Sequence, residues 1–334
     1  MSAAQLNTIR LYTNLSNAAA GVDAFQSARR LGVFDVLANG QQTAIQVAEA
    51  CNLNPARTEI LLDILCGLLI LERYQDDYAL SQMIHLLTSQ DDDLGQADRT
   101  NIDEFMQSKQ PCENRTAAYR NRVSSAQWRA TPAAMDVVKY LSLSEQTEPL
   151  NILDVGCGTG VWSLPIARQD PAAHITFVDY QEPVDVACRT AEAVGMVGRF
   201  ANIIGDPFTA DLPKSQYNLA VVANLLHLIP ADQWESLLGR VIEAVSPQGR
   251  LLIVDVFPGQ ESGDITRSTF QLDLSMHVPG AALCDPLLLQ QTLVDLGTEK
   301  PQYAHIDAAP NIYGMMLATA SMDPSGENRA EVNE

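Results

Sequence analysis

The stretch Asp154-Val-Gly156-Cys-Gly158-Thr-Gly160 constrains the fold of this chain more than any other. It follows a short apolar run, Ile152–Val155, and precedes a helical pattern over 161–168, so the loop joins a strand to a helix. Glycines at alternate positions let the backbone turn sharply and let a ligand come close to the main chain. The same texture continues downstream. Strands are predicted at 175–179, 200–204, 219–223 and 250–256, with helices at 183–194 and 231–244 between them. Two more strands are predicted at 302–306 and 313–319. Strand alternating with helix means an α/β domain with a parallel, doubly wound sheet, whose ligand crevice lies at the carboxyl ends of the strands.

The first part of the chain reads differently. Helical spacing runs through residues 5–38, broken at Gly32, with Leu11, Leu15, Val22 and Phe25 in one stripe. Thr43 is placed to cap a helix over 44–51, and Asn54-Pro55 to cap one over 56–68 that buries Ile60, Leu61, Ile64, Leu65 and Leu68. Apolar runs on either side of Gln75-Asp76-Asp77 then predict a hairpin. Helix, turn, helix and hairpin make a winged helix. Length supports two domains: 334 residues. The expected division is a winged-helix dimerisation domain over 1–95, a helical linker with pocket helices over 96–145, the α/β domain over 146–320 and a disordered tail over 321–334. Residues 90–110, with Asp91, Asp92 and Asp93, read as a solvated connection.

Charge excludes several partner classes. There are 41 acidic against 21 basic side chains, a net charge of −20. Such a surface repels nucleic-acid phosphates and anionic lipid heads. The helix of the winged unit that would enter a DNA groove carries Glu59 and Asp63 beside Arg57, and the wing carries Asp76 and Asp77. A DNA-binding regulator remains the alternative from another class, and salt-sensitive duplex binding would revive it. Arg115, Arg120, Arg122 and Arg129 read as an ion-paired helix facing acidic surface. The longest apolar stretch, 60–71, contains Asp63 and falls short of the ~20 residues a bilayer needs. No leader pattern opens the sequence, and six scattered cysteines without a CxxC pair read as free thiols in a cytoplasmic protein. No metal spacing is present, so no metal is expected.

The ligand follows from the acids near the glycine loop. The spacing GxGxG is tighter than a dinucleotide fingerprint, and no Lys stands where a phosphate cradle needs one. Asp154 before Gly156, Gly158 and Gly160 suits a cationic ligand. Asp179, nineteen residues after Gly160, ends the next strand, where a carboxylate can accept two ribose hydroxyls. Asp206 ends the strand after that and can accept an adenine amino group, with Phe208 covering the ring. S-adenosylmethionine, cationic and free of phosphate, fits this set.

With ILDVGCGTG, FVDY, GDPF and LLHLIP followed by LLIVDVF in the second half, and GVFDVL, TAIQVAEACNLN and ERYQDDYALS in the first, the chain resembles the class I S-adenosylmethionine-dependent small-molecule O-methyltransferases of the hydroxyindole and caffeic acid type. The resemblance covers most of the chain. It implies a Rossmann-like cofactor domain behind a winged-helix dimerisation domain, and a homodimer. It implies that His227, nine residues after Asn218 in the segment Asn224-Leu-Leu-His227, is the general base, with Asn224 at the cofactor. A neutral imidazole there can take the proton of a hydroxyl. It implies that Asp255 backs the base. A second acid, usually a Glu before the late helix, is not clearly present, and Asp285 is the substitute to examine. The HDW triplet common after the base is absent, because Leu228 and Ile229 follow His227. C-methylation and S-adenosylmethionine chemistry without methyl transfer therefore stay open as alternatives. The walls of a pocket for a small apolar or aromatic acceptor are expected from Trp128, Met135, Phe270, Leu274, Met276 and His277. His85 and His174 read as structural. The apolar stripe on the first helix predicts a two-fold interface of over ~2,000 Å².

Overall fold

The computed structural model describes residues 2–82, 84, 102–141, 143, 148–258 and 264–321. His85, Asp91–Asp93 and the tail beyond 321 lie outside the described residues. The chain divides into two compact units, 1–100 and 101–334.

In the first unit, α1 (Ala3–Arg30) starts on a capping box in which Ser2 and Gln5 satisfy each other's exposed amides. Gly32, at φ +76°, turns the chain into α2 (Val33–Leu37). After β1 (Gln42–Thr43), Thr43 and Gln46 form a second capping box for α3 (Ala44–Ala50). Asn54 caps α4 (Pro55–Gly67), with Pro55 at its first position. β2 (Leu71–Tyr74) and β3 (Asp77–Leu80) form the hairpin, and β1 pairs with β3 to complete a three-stranded sheet in the order β1-β3-β2. Phe25, Val33, Phe34, Val47, Leu62, Leu65 and Tyr78 close its core. The inward phase of α4 differs from the expected one. Thr58, Leu62 and Leu65 are buried at i, i+4 and i+7, whereas Ile60 and Ile64 are exposed.

The second unit begins with α5 (Ile102–Gln107), α6 (Thr116–Ser125), a 3₁₀ turn at Gln127–Ala130 and α7 (Thr131–Tyr140). The α/β region follows as β4 (Asn151–Val155), α8 (Ser163–Ala167), β5 (His174–Asp179), α9 (Gln181–Ala193), β6 (Phe200–Ile204), β7 (Tyr217–Ala223), α10 (Trp234–Ala244) and β8 (Val245–Val256). It ends with α11 (Ile265–His277), α12 (Pro286–Asp295), β9 (Gln302–His305) and β10 (Tyr313–Thr319). The seven strands lie in the order β6-β5-β4-β7-β8-β10-β9. The first five are parallel. β10 runs antiparallel to both β8 and β9, so the sheet is mixed rather than wholly parallel. The short connection from β9 to β10 permits only a hairpin, since a parallel return needs a crossover of a dozen residues or more.

Strand side chains alternate between two cores, as a period of two requires. Ala220, Val222, Leu251 and Ile253 pack with α10, α11 and α12. Leu219, Val221, Leu252 and Val254 pack with α7, α8 and α9. With both faces covered, the chemistry-bearing side chains gather at the carboxyl ends of β4, β5, β7 and β8. Among the described residues, no helix is long and apolar enough to cross a membrane.

Candidate active site

A cavity of about 360 Å³ opens at these strand ends. Gly156 and Gly158 of the glycine loop after β4 line it and Gly160 does not; the three lie at φ +73°, +53° and +76°, the left-handed region that other residues avoid. A Cβ at Gly158 would lie 2.4 Å from the Gln127 side-chain amide nitrogen, so a larger residue there would have to displace Gln127. Gln127 is bound to the same loop: its Oε1 accepts from the Thr159 N–H and hydroxyl, each at 2.8 Å.

Asp179, at the end of β5, is 1% exposed and lines the cavity. Its Oδ2 accepts the Gly158 N–H at 3.1 Å, which fixes the glycine loop to the neighbouring strand. Its Oδ1 accepts the Tyr180 N–H and Arg120 Nη2, both at 2.8 Å. Asp206 and Phe208 stand beside the cavity rather than on its wall. Asp206 accepts the Phe208 N–H at 3.0 Å, and Tyr180, whose phenol feels the Asp206 carboxylate, does line it. Burial, and then the Asp206 carboxylate, push the Tyr180 phenol up.

On the other side, Asn224 ends β7 at φ +54° and His227 follows in a 3₁₀ turn, Leu226–Leu228. Both line the cavity. His227 is 1% exposed, and its Nδ1 lies 2.6 Å from Asp255 Oδ1 in β8. Asp255 also accepts the N–H groups of Leu226 at 3.1 Å, His227 at 3.4 Å and Val256 at 2.7 Å. A carboxylate surrounded by donors acts as an acceptor, so it favours the neutral tautomer with the proton on Nδ1 and the lone pair on Nε2. Phe270 meets the imidazole edge-on, with centroids 5.2 Å apart. The Tyr119 hydroxyl and Asn224 Oδ1 are buried without a hydrogen-bond partner among the described residues, and both residues line the cavity. Burial keeps the Tyr119 phenol protonated by raising it far above the ordinary range.

Several expected site residues are placed elsewhere. Asp154 is fully buried, accepts the Ser163 hydroxyl and does not line the cavity, so it ties β4 to α8. Burial pushes its carboxyl up to about 7, against the pull of Ser163. None of the six expected acceptor-pocket residues lines the cavity. Met135 is 61% exposed, because Ala133, Ala134 and Val137 take the inward face of α7. Trp128 is half-buried in the 3₁₀ turn, Leu274 is wholly in the core, and Met276 is half-buried. His277 spends Nδ1 on the Asp273 carbonyl at 2.7 Å and packs against Tyr119. Phe270 keeps its place through its contact with His227. Asp285 is exposed and caps α12, accepting from Leu287 and Leu288. Its neighbour Cys284 is buried, and burial, followed by the Asp255 carboxylate, pushes its thiol up.

The wall that sequence reasoning missed comes from α6 and the turn after it: Tyr119, Arg120, Asn121, Val123, Ser124 and Gln127. The available signal was the spacing of Arg120, Ser124 and Gln127 at i, i+4 and i+7, one helical face carrying polar side chains. Among the described residues, no group of His, Cys, Asp and Glu has the arrangement to hold a metal ion.

The donor set suits an adenosyl ligand with a cationic sulfur. A buried carboxylate ends β5, glycines in the left-handed region line the wall, and Arg120, the one Lys or Arg among the described lining residues, is paired with that carboxylate. Residues 152–249 match the methyltransferase domain family, and residues 13–89 match the O-methyltransferase dimerisation domain. Together these segments cover more than half of the chain, which joins a methyltransferase domain to an O-methyltransferase dimerisation domain. An uncharacterized methyltransferase of Mycobacterium bovis is 33% identical over 135 residues, 38% of this chain and 62% of that protein. A human protein described as a probable bifunctional dTTP/UTP pyrophosphatase/methyltransferase is 29% identical over 46% of this chain and 24% of its own length. The chain thus spans less than two thirds of these curated relatives. In fold it is similar to human N-acetylserotonin methyltransferase solved with SAM, at a TM-score of 0.69 and 20% identity, covering 96% of this chain and 100% of that one. It is also similar to an O-methyltransferase family protein from Burkholderia thailandensis, at 0.73 and 17%, covering 94% and 98%.

Proposed function

We propose that this protein moves the methyl group of S-adenosylmethionine to a hydroxyl oxygen of a small apolar or aromatic molecule, with His227 as the general base. The observation that carries this reading is the buried pair His227–Asp255 on the wall of the cavity that also holds Asp179. The cofactor supplies a methyl group already activated on a sulfonium. Asp179 would hold its ribose, the glycine loop its amino acid end, and Asp206 with Phe208 its adenine. Asp255 orients the His227 imidazole, so Nε2 would be placed to accept the proton of the acceptor's hydroxyl as that oxygen takes the methyl group. Phe270 against the imidazole gives an aromatic acceptor a flat neighbour. Alignment of the oxygen with the methyl group then contributes most of the rate, and the base a further factor of about 10² to 10⁴.

The same reading includes a homodimer built on the first unit. Its dimerisation domain match is joined by a large apolar surface: Leu6, Ile9, Leu11, Tyr12 and Leu15 on α1 are each more than half exposed. The test of catalysis is transfer of labelled methyl from S-adenosylmethionine to a panel of small phenols. His227→Gln should lose about 10²- to 10⁴-fold in turnover with cofactor affinity nearly unchanged. Full turnover in that variant would remove the base from the account.

A further inference from the structure

Arg120 occupies the carboxylate that the cofactor's ribose needs. Its Nη2 lies 2.8 Å from Asp179 Oδ1, and the two side chains are 16% and 2% exposed. An ionised carboxylate offers about four acceptor positions. On Asp179 three are taken: Oδ1 by Arg120 and the Tyr180 N–H, and Oδ2 by the Gly158 N–H. One position remains for a ribose that brings two hydroxyls. The two amide bonds are built into the backbone, so the side chain of Arg120 is the partner able to leave.

The surroundings of Arg120 give it somewhere to go. Its guanidinium lies 5.2 Å from the ring centroid of Tyr180 and 5.9 Å from that of Phe208, two aromatic faces that hold a cation without an acid. The segment that carries it is anchored at two other points. Arg122 Nη2 donates to both carboxylate oxygens of Asp273 of α11 at 2.9 Å, and Gln127 grips Thr159. Arg120 can therefore change partner while α6 stays in place. Of the side chains lining the cavity it is the only Lys or Arg among the described residues, beside Asp179 and Glu182.

We propose that Arg120 competes with the ribose hydroxyls for Asp179, so that cofactor entry and release of this ion pair are one event. The proposal rests on the reading of the cavity as an S-adenosylmethionine site and adds to it a residue that sets cofactor affinity. Without ligand, Arg120 compensates the buried charge of Asp179, which would otherwise be costly. With ligand, the hydroxyls take over that role and the guanidinium rests on the ring of Tyr180. The hydroxyls therefore contribute less to affinity than an unopposed carboxylate would give them.

The test is calorimetric titration of S-adenosylhomocysteine and its 2′,3′-dideoxy analogue into the wild type, Arg120→Met and Arg120→Lys. The affinity ratio of the two ligands measures what the hydroxyls contribute. Arg120→Met should raise that ratio by about tenfold, the scale of one hydrogen bond to a charged group. Arg120→Lys, which keeps the charge but loses the planar fork, should raise it by less, and it carries the test if the Met variant does not fold. An equal ratio in all three proteins overturns the proposal alone, because a purely structural arginine would weaken both ligands alike. Absence of binding to every protein overturns the cofactor reading and the proposal with it.

Discussion

The two units break the ordinary burial pattern in opposite directions. The first exposes what a folded chain usually hides: Leu11 and Leu15 on α1 are 58% and 73% exposed, and Ile60 on α4 faces outward too. The second hides what a chain usually exposes: Asp154, Asp179, His227 and Asp255 are all buried at or beside the carboxyl ends of the sheet. Scattered exposed apolar residues need no explanation, but a run of them along one helix marks a partner. Buried ionisable groups cost stability unless they are paired, and their persistence at strand ends marks chemistry. The difference supports the proposal that one unit carries assembly and the other catalysis.

The largest expected effect breaks the assembly half. Leu11→Glu with Leu15→Glu places charges on the exposed face of α1, away from the Phe25 core. Light scattering should show the mass falling from two chains to one with helix content unchanged. A wild type that already weighs one chain would contradict the assignment.

A second effect sharpens the catalytic half by separating a buried acid of the framework from the acids of the site. Burial raises the Asp154 carboxyl from an ordinary 3.8 to about 7. The folded state then holds a proton that the unfolded state releases. This contribution to stability is present below about pH 4 and is lost as pH rises to about 7. Asp154→Asn keeps the acceptor for Ser163 and should flatten that dependence in urea titrations, leaving cofactor affinity intact. A profile unchanged by the substitution would contradict the burial argument. The smallest effect is on the glycine loop. Gly158→Ala strains a residue at φ +53° and pushes Gln127 off the loop, costing about 1–2 kcal/mol of stability in the same titration.

The parts of the molecule written in contiguous sequence were the ones legible in advance. Capping residues Thr43 and Asn54 announce α3 and α4, and the GxGxG spacing announces the turn after β4. Asp179 and Asp255 end apolar strands, so their place near the crevice follows from topology. What escaped depends on helix phase or on distant partners. Met135 has the right chemistry for a pocket wall, but the Ala133–Ala134 face turned inward and carried it out. Asp154 sits in the motif, yet its side chain is used by Ser163. Arg120 and Gln127 meet partners 59 and 32 residues away, and nothing in their own neighbourhood shows which acid or loop they reach. Cys284 beside Asp255 was hidden behind the more acidic Asp285, whose oxygens are committed to the end of α12. The strand over 313–319 was legible, but its antiparallel direction was not, because strand spacing alone does not reveal direction.

The central claim is that the buried carboxylate at the end of β5 is the anchor for an adenosyl cofactor. Calorimetry with S-adenosylhomocysteine on the wild type and on Asp179→Asn addresses it directly. The account expects sub-millimolar binding by the wild type and a loss of at least about tenfold in the variant, whose amide cannot accept both hydroxyls as a carboxylate does. No binding by the wild type, or equal binding by the two proteins, would contradict it.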